Sequence, residues 1–260
     1  MEEAIALHSL SKNYGSIKAL EDVSLHIQKG VFGFLGPNGA GKTTTIKIIL
    51  GLVKPTNGSA TVLGFDCVTE SLEIRSRVGY LSEDPRFYEY MSGKAFLEFV
   101  ARLRGTSKID AKKEAEELLR RVNLSQDGNR KIKEYSQGMK QRIGMAQALV
   151  GNPEILILDE PTSNLDPLGR EELLSIIKEV GKSGAMVFLS SHVLGEVERV
   201  CERLALLVKG RVVLEGSLND MKHRFSSAQY RVKTNDTRQL EVLLKNKSFV
   251  DEMWLEERAT

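Results

Sequence analysis

The sequence predicts an α/β fold built on a parallel sheet, with an N-terminal antiparallel β subdomain and an inserted helical subdomain. Three patterns carry that expectation. Apolar bursts at 155–158, 185–189 and 204–208 alternate with segments of helical spacing, as expected of parallel strands covered on both faces. Near the start, short segments alternate apolar with polar residues, the period of a sheet with one wet face. Between these regions runs a stretch dominated by helical spacing.

In chain order, 4–10, 23–27 and 59–63 read as the antiparallel strands. They bracket a continuous apolar run at 31–35, a glycine-rich turn and a helical pattern at 44–50, which together read as a buried strand feeding a helix. The helical subdomain covers about 83–150, with helices at 94–104, 110–122 and 136–150 separated by polar, glycine-containing links. The later parallel strands alternate with helices at 167–180 and 194–200. One domain is therefore expected over 1–216. The extension 217–260, with a short helix at 218–223, a strand at 229–232 and a charged tail, reads either as a small accessory domain or as a frayed end.

Composition narrows the function classes. With 260 residues, 41% of them hydrophobic, the chain can bury a sizeable core. Its 37 basic and 35 acidic side chains leave a net charge of +2, so no nucleic-acid partner is expected. Cys67 and Cys201 stand far apart with no second cysteine at metal-ligand spacing, which argues against a disulfide framework or a zinc site and fits a reducing cytosol. The start lacks the basic and apolar run of a secretory signal, and no apolar stretch reaches the roughly 20 residues needed to span a bilayer. Any work at a membrane is expected to be done by docking to something already there.

Two motifs carry chemistry. Gly36, Pro37, Asn38, Gly39, Ala40, Gly41, Lys42 and Thr43 match the P-loop pattern at every defined position, between an apolar strand and a helix, and with Thr44, which continues that helix, they are the expected ATP-binding residues. Glycines let backbone amides turn toward phosphate oxygens, and the helix points its positive end at the same anion. Lys42 adds a full charge at the β and γ phosphates, while Thr43 offers a hard oxygen to Mg2+. Asp159 and Glu160 close an apolar strand, at the sheet edge where ligands bind. Asp159 is expected to hold Mg2+, through water, and Glu160 to orient the water that attacks the γ phosphate. Together these define a P-loop NTPase core.

A third segment narrows the class. Tyr135-Ser136-Gln137-Gly138-Met139, followed by Lys140-Gln141-Arg142, resembles the signature of ABC ATPases, usually Leu-Ser-Gly-Gly-Gln. Ser136 and Gly138 match it, whereas Tyr135, Gln137 and Met139 depart. The remaining elements fall in the family's order, and the resemblance covers about residues 3–218. It implies that Tyr14 stacks on the adenine of ATP, that Ser163 to Asp166 form the D-loop with Asn164 where glycine is usual, and that His192 is the switch histidine on the γ phosphate. Glu83 takes the place of the Q-loop glutamine, either as a charged ligand near Mg2+ or facing solvent or a partner.

The resemblance further implies that Ser136, Gln137 and Gly138 cover the nucleotide of a second copy, so the working unit is a homodimer or a pair with a related ATPase. It points to the ATP-binding subunit of an exporter whose membrane permease is a separate chain, placed on the cytoplasmic face of the cell membrane. The region near Phe87, Tyr88 and Tyr90 resembles the permease docking groove, although aromatic residues also fill cores. The alternative is a soluble ABC ATPase acting on protein or nucleic-acid complexes without transport.

Overall fold

The structure, a computed structural model, describes residues 3–163 and 165–225, together with residue 243. The chain divides after Met221, and the candidate site lies in the first unit. Strands β1 (Glu3–Tyr14) and β2 (Ile17–Gln28) form a long hairpin, followed by β3 (Val31–Leu35) and helix α1 (Lys42–Ile49). Next come β4 (Asn57–Val62), β5 (Phe65–Asp66), α2 (Ser71–Arg77) and β6 (Val78–Leu81). Helices α3 (Gly93–Leu103), α4 (Lys108–Arg121) and α5 (Gln137–Leu149) then intervene before β7 (Ile155–Asp159). The rest alternates: α6 (Pro167–Lys182), β8 (Met186–Ser191), α7 (Leu194–Val200), β9 (Arg203–Val208), β10 (Arg211–Ser217) and α8 (Leu218–Phe225).

Two sheets result. An antiparallel one has the order β2-β1-β4-β5, and the six-stranded one has the order β10-β9-β3-β8-β7-β6. Five strands of the larger sheet are parallel, but β10 runs antiparallel to β9, so the sheet is mixed rather than purely parallel. The apolar bursts show why this sheet forms the centre. Ile155 and Ile157 face one hydrophobic cluster and Leu156 and Leu158 the other, and Met186 and Phe188 alternate with Val187 and Leu189 in the same way. A strand that sends successive side chains into two dry cores must be covered on both faces. One core holds α1 and the antiparallel sheet, with Phe188 packed against Phe32 and Phe34 at centroid distances of 5.9 and 5.3 Å. The other holds the apolar faces of α3 to α7.

Several elements extend beyond the sequence expectation or escape it. The hairpin strands are twelve residues each, because polar pairs such as Asn13 with Lys18 continue the ladder where hydrophobic alternation has faded. Strands β5, β6 and β10 and helix α2 are short or half-exposed and lack a distinctive period. Helix α1 opens at Lys42, two residues earlier than its apolar pattern. The strand expected at 229–232 and Asn164 lie outside the described residues.

Strand order positions the site. β3, β8 and β7 are neighbours, with Leu35 opposite Ser191 and Asp159 opposite Ser190. The segments that follow β3, β7 and β8 therefore emerge side by side at the carboxyl edge of the sheet.

Candidate functional site

From β3 the chain turns through 36–41 into α1. The turn fits around its neighbours only because it is glycine-rich: a Cβ on Gly36 would meet Leu207 O at 2.4 Å. Gly41 has φ 113°, a conformation that side chains resist, and a Cβ there would meet Ala19 O at 2.6 Å. The Gly36 amide donates to Ser191 O (3.1 Å), Ala40 to Pro37 O (3.1 Å) and Gly210 to Ala40 O (2.9 Å), which fastens the loop to β8 and to the β9–β10 turn. Among the described residues, the amides of Asn38, Gly39 and Gly41 have no protein acceptor. The first amides of a helix lack one by geometry. Unpaired donors at the positive end of α1 suit an anion of the size of phosphate.

Lys42 is 6% exposed and bends back over the loop, donating to Gly36 O (2.6 Å) and Pro37 O (3.2 Å). Its Nζ also lies 3.0 Å from Glu160 Oε1. That contact is an ion pair without hydrogen-bond direction, since Oε1 accepts no well-aligned bond. The second oxygen of Glu160 is 2.9 Å from His192 Nδ1. Lys42, Glu160 and His192 thus form one continuous cluster, with Glu160 in the middle.

The backbone holds Glu160 in a left-handed conformation, φ 49°, with its amide donated to Ser190 O (3.2 Å) and Ser190 Oγ (3.0 Å). The same Ser190 hydroxyl donates to Asp159 Oδ1 at 2.6 Å. Ser190 therefore sets both carboxylates, a role sequence reasoning missed; the available signal was a polar residue closing an apolar strand just before Ser191-His192. Gln141 was missed as well: buried on α5, it donates Nε2 to Pro161 O at 2.7 Å.

Thr43 and Thr44 are half-buried in the first turn of α1. Among the described residues no group of three or more His, Cys, Asp and Glu side chains could hold a metal. The Thr43 hydroxyl and the Asp159 carboxylate are hard oxygens, and so sparse a protein donor set suits Mg2+, which keeps phosphate and water in its shell. Glu83 is exposed, two residues beyond Leu81, which is the register partner of Leu158. Burial first, then the charges of Asp159 and Glu83, pushes Tyr80 up to about 12.

The other candidates stand apart from this cluster. Tyr14 ends β1, 44% exposed, with Lys12 Nζ 5.0 Å from its ring centroid; its hairpin reaches the loop through Ala19 and Leu20. Ser136 caps α5 by accepting from the Met139 amide (3.3 Å), and it and Gln137 are exposed. A Cβ on Gly138 would lie 3.7 Å from Leu165, so the segment borders the start of α6 rather than the Lys42–Glu160 pair. Asp166 caps α6 by accepting from the Gly169 amide at 2.9 Å. Tyr135 is buried and donates to Asp127 O at 2.8 Å, which makes it core rather than site.

The family model described as ABC transporter matches residues 20–163, over half of the chain. The chain belongs to the ABC transporter family. This ABC ATP-binding chain is 45% identical, over 79% of its length, to the uncharacterized ABC transporter ATP-binding protein all4389 of Nostoc, and spans 62% of that protein. It is 37% identical to the bacitracin transport ATP-binding protein BcrA of Bacillus licheniformis, over 86% of this chain and 73% of that one. To the daunorubicin resistance ATP-binding protein DrrA3 of Streptomyces coeruleorubidus it is 36% identical, over 85% and 70% of the two chains. A solved ATP-binding subunit of an ABC transporter superposes with a TM-score of 0.78 at 31% identity, covering 93% of this chain and 99% of that one. The cassette MJ0796, solved as a dimer in a post-hydrolysis state with ADP and Pi, gives a TM-score of 0.75 at 26% identity, covering 82% and 98%.

Proposed function

We propose that this ABC subunit hydrolyses ATP with Mg2+ to drive export through a permease carried on a separate chain, working as a homodimer or paired with a related ATPase. The observation that carries the reading is the cluster in which Glu160 lies between Lys42 and His192. In the structure Lys42 directs its charge to Glu160 and to two carbonyls of its own loop. A triphosphate in the cradle of free amides competes for that ammonium, because charge-assisted bonds to phosphate are stronger than those to neutral carbonyls. Lys42 then moves its charge to the β and γ phosphates. Glu160, released on one side, orients a water toward the γ phosphorus, and His192 holds a proton between Nδ1 and the carboxylate while its other nitrogen faces the phosphate. Thr43 and Asp159 would hold Mg2+, which when bound would supply charge neutralisation on the phosphate oxygens.

Ser136 caps α5, and Gln137 and Gly138 open it, at an end that borders α6 rather than their own Lys42, which suits a role on the nucleotide of a second copy. Asp166, at the neighbouring start of α6, belongs to the same seam. Export is supported by the relatives named for bacitracin transport and daunorubicin resistance. The path for cargo is assigned to another chain and this one to the cytoplasmic face of the membrane, as the family resemblance implies.

Phosphate release from Mg-ATP by the purified chain, beside Glu160→Gln, tests the chemistry. The wild type turns over, and the variant binds ATP but hydrolyses it at least about 100-fold more slowly. Equal turnover removes Glu160 from its role. Capture from detergent-solubilised membranes tests the coupling: a polytopic membrane protein is recovered in fixed ratio, and its absence counts against transport.

A further inference from the structure

Behind the Glu160–His192 pair stands another buried carboxylate, Glu196, in the first turn of α7 and 4% exposed. Its Oε2 accepts from Thr162 Oγ1 at 2.7 Å and from Ser191 Oγ at 2.8 Å. Its Oε1 faces Arg170 Nε of α6 at 3.4 Å, an ion pair without hydrogen-bond direction. Ser191 Oγ accepts in turn from the Val193 amide at 3.0 Å. Ser191, before His192, is therefore tied directly to that carboxylate oxygen, and Val193, after it, is tied through the Ser191 hydroxyl. That oxygen also holds Thr162, two residues beyond Glu160, while Gln141 grips Pro161 O between them.

A packing role does not explain this arrangement. Taking a carboxylate out of water costs several kcal/mol unless it is paired and bonded, and an apolar side chain of similar volume is often at least as stabilising. Here the carboxylate is surrounded by two hydroxyl donors and a guanidinium drawn from three different segments: the turn after β7, the end of β8 and helix α6. What these segments share is the Glu160–His192 contact on one side and the start of α6, which the proposed function puts at the seam, on the other.

We propose that Glu196 is a positioning residue for hydrolysis: Oε2 sets the Glu160–His192 geometry from behind, and Oε1, through Arg170, ties that geometry to α6. The proposal rests on the reading of Glu160 as the group that orients water. When α6 is carried by a partner at its N-terminal end, the displacement reaches Oε1 and passes to the segments bonded to Oε2.

Glu196→Ala is compared with wild type in turnover, in KM for ATP and in the imidazole NMR resonance of His192, identified by its loss in His192→Ala. A displacement of about 1 Å at a reacting group costs about 100-fold, so kcat is expected to fall by about that factor with KM unchanged and the His192 resonance moved. Glu196→Gln keeps an acceptor for both hydroxyls and recovers about tenfold of the loss. If Glu196→Ala does not fold, Thr162→Val and Ser191→Ala each remove one arm and each lower kcat by about tenfold at constant KM. A kcat within about twofold of wild type in Glu196→Ala, or in both single-arm variants, overturns the proposal. A wild-type chain without turnover sinks the hydrolytic reading alone, because the His192 resonance still answers for Glu196: moved, it supports the anchor, and unmoved, it overturns it.

Discussion

Lys42 Nζ and Glu160 Oε1 lie 3.0 Å apart with both side chains only 6% exposed, so the two central charges of the site are each other's counterion. Removing one partner of such a pair leaves the other buried and uncompensated, at about 3–5 kcal/mol. Lys42→Ala is therefore expected to abolish ATP hydrolysis and also to lower the urea midpoint, with Lys42→Ala/Glu160→Gln regaining much of that stability while remaining inactive. A Lys42→Ala chain with wild-type turnover refutes the role of the lysine. Unaltered stability in the single variant shows that water already compensates Glu160.

Alkaline pH probes the cores on either side of the site. Burial first, then Asp66, raises the Cys67 thiol from 9.0 to about 12. Cys201 moves likewise to about 12, by burial and then by Glu202. Tyr80 rises from 10.0 to about 12 through burial, then Asp159, then Glu83. Each group holds its proton more tightly folded than unfolded, so its contribution is complete below the ordinary value and is lost as pH climbs through the folded one. Stability against urea is expected to be level near pH 8 and to fall from about 9 to about 12. Tyr80→Phe makes the fall shallower above pH 10. A chain equally stable at pH 8 and 11 contradicts the burial of all three.

The phosphate loop was legible because its chemistry is contiguous: 36–43 is one uninterrupted segment whose flanks announce a strand and a helix. The central strands were legible because Ile155 to Leu158 and Met186 to Leu189 are apolar at every position, a pattern required only when both faces are dry. The Glu160–His192 contact depends instead on β7 lying beside β8, and no local pattern encodes strand order. Ser190, Gln141 and Glu196 are ordinary polar residues along the chain, and only the convergence of β7, β8, α5 and α7 gives them partners. Strand β6 escaped because Val-Gly-Tyr-Leu is too short to show a period.

Ser136 can be asked whether it acts on its own chain or across a seam. Its hydroxyl caps α5, and loss of such a cap costs about 1 kcal/mol. Ser136→Ala is therefore expected to lower stability modestly and to leave ATP binding by the isolated chain intact. In a Glu160→Gln background, where ATP accumulates unhydrolysed, sedimentation is expected to show an ATP-dependent dimer that Ser136→Ala weakens by at least about tenfold. Equal loss of monomer binding and of pairing places Ser136 on its own nucleotide and removes the cross-seam role.

Tyr14 is more exposed than a core tyrosine and is held at the tip of the hairpin beneath Lys12, whose Nζ sits 5.0 Å from the ring centroid. A ring so presented offers its other face to an adenine, and base–aromatic stacking is worth about 1–3 kcal/mol by alanine substitution. Tyr14→Ala is expected to raise KM for ATP by about tenfold with kcat unchanged, since stacking on the base is the same in ground and transition states. Tyr14→Phe keeps the face and keeps KM near wild type, whereas Lys12→Ala leaves the stack in place and changes KM little. Steady-state kinetics on the four chains decide it. A fall in kcat at constant KM for Tyr14→Ala, or equal effects of alanine and phenylalanine, removes the ring from the base and reduces Tyr14 to the residue that closes the hairpin against Ile17.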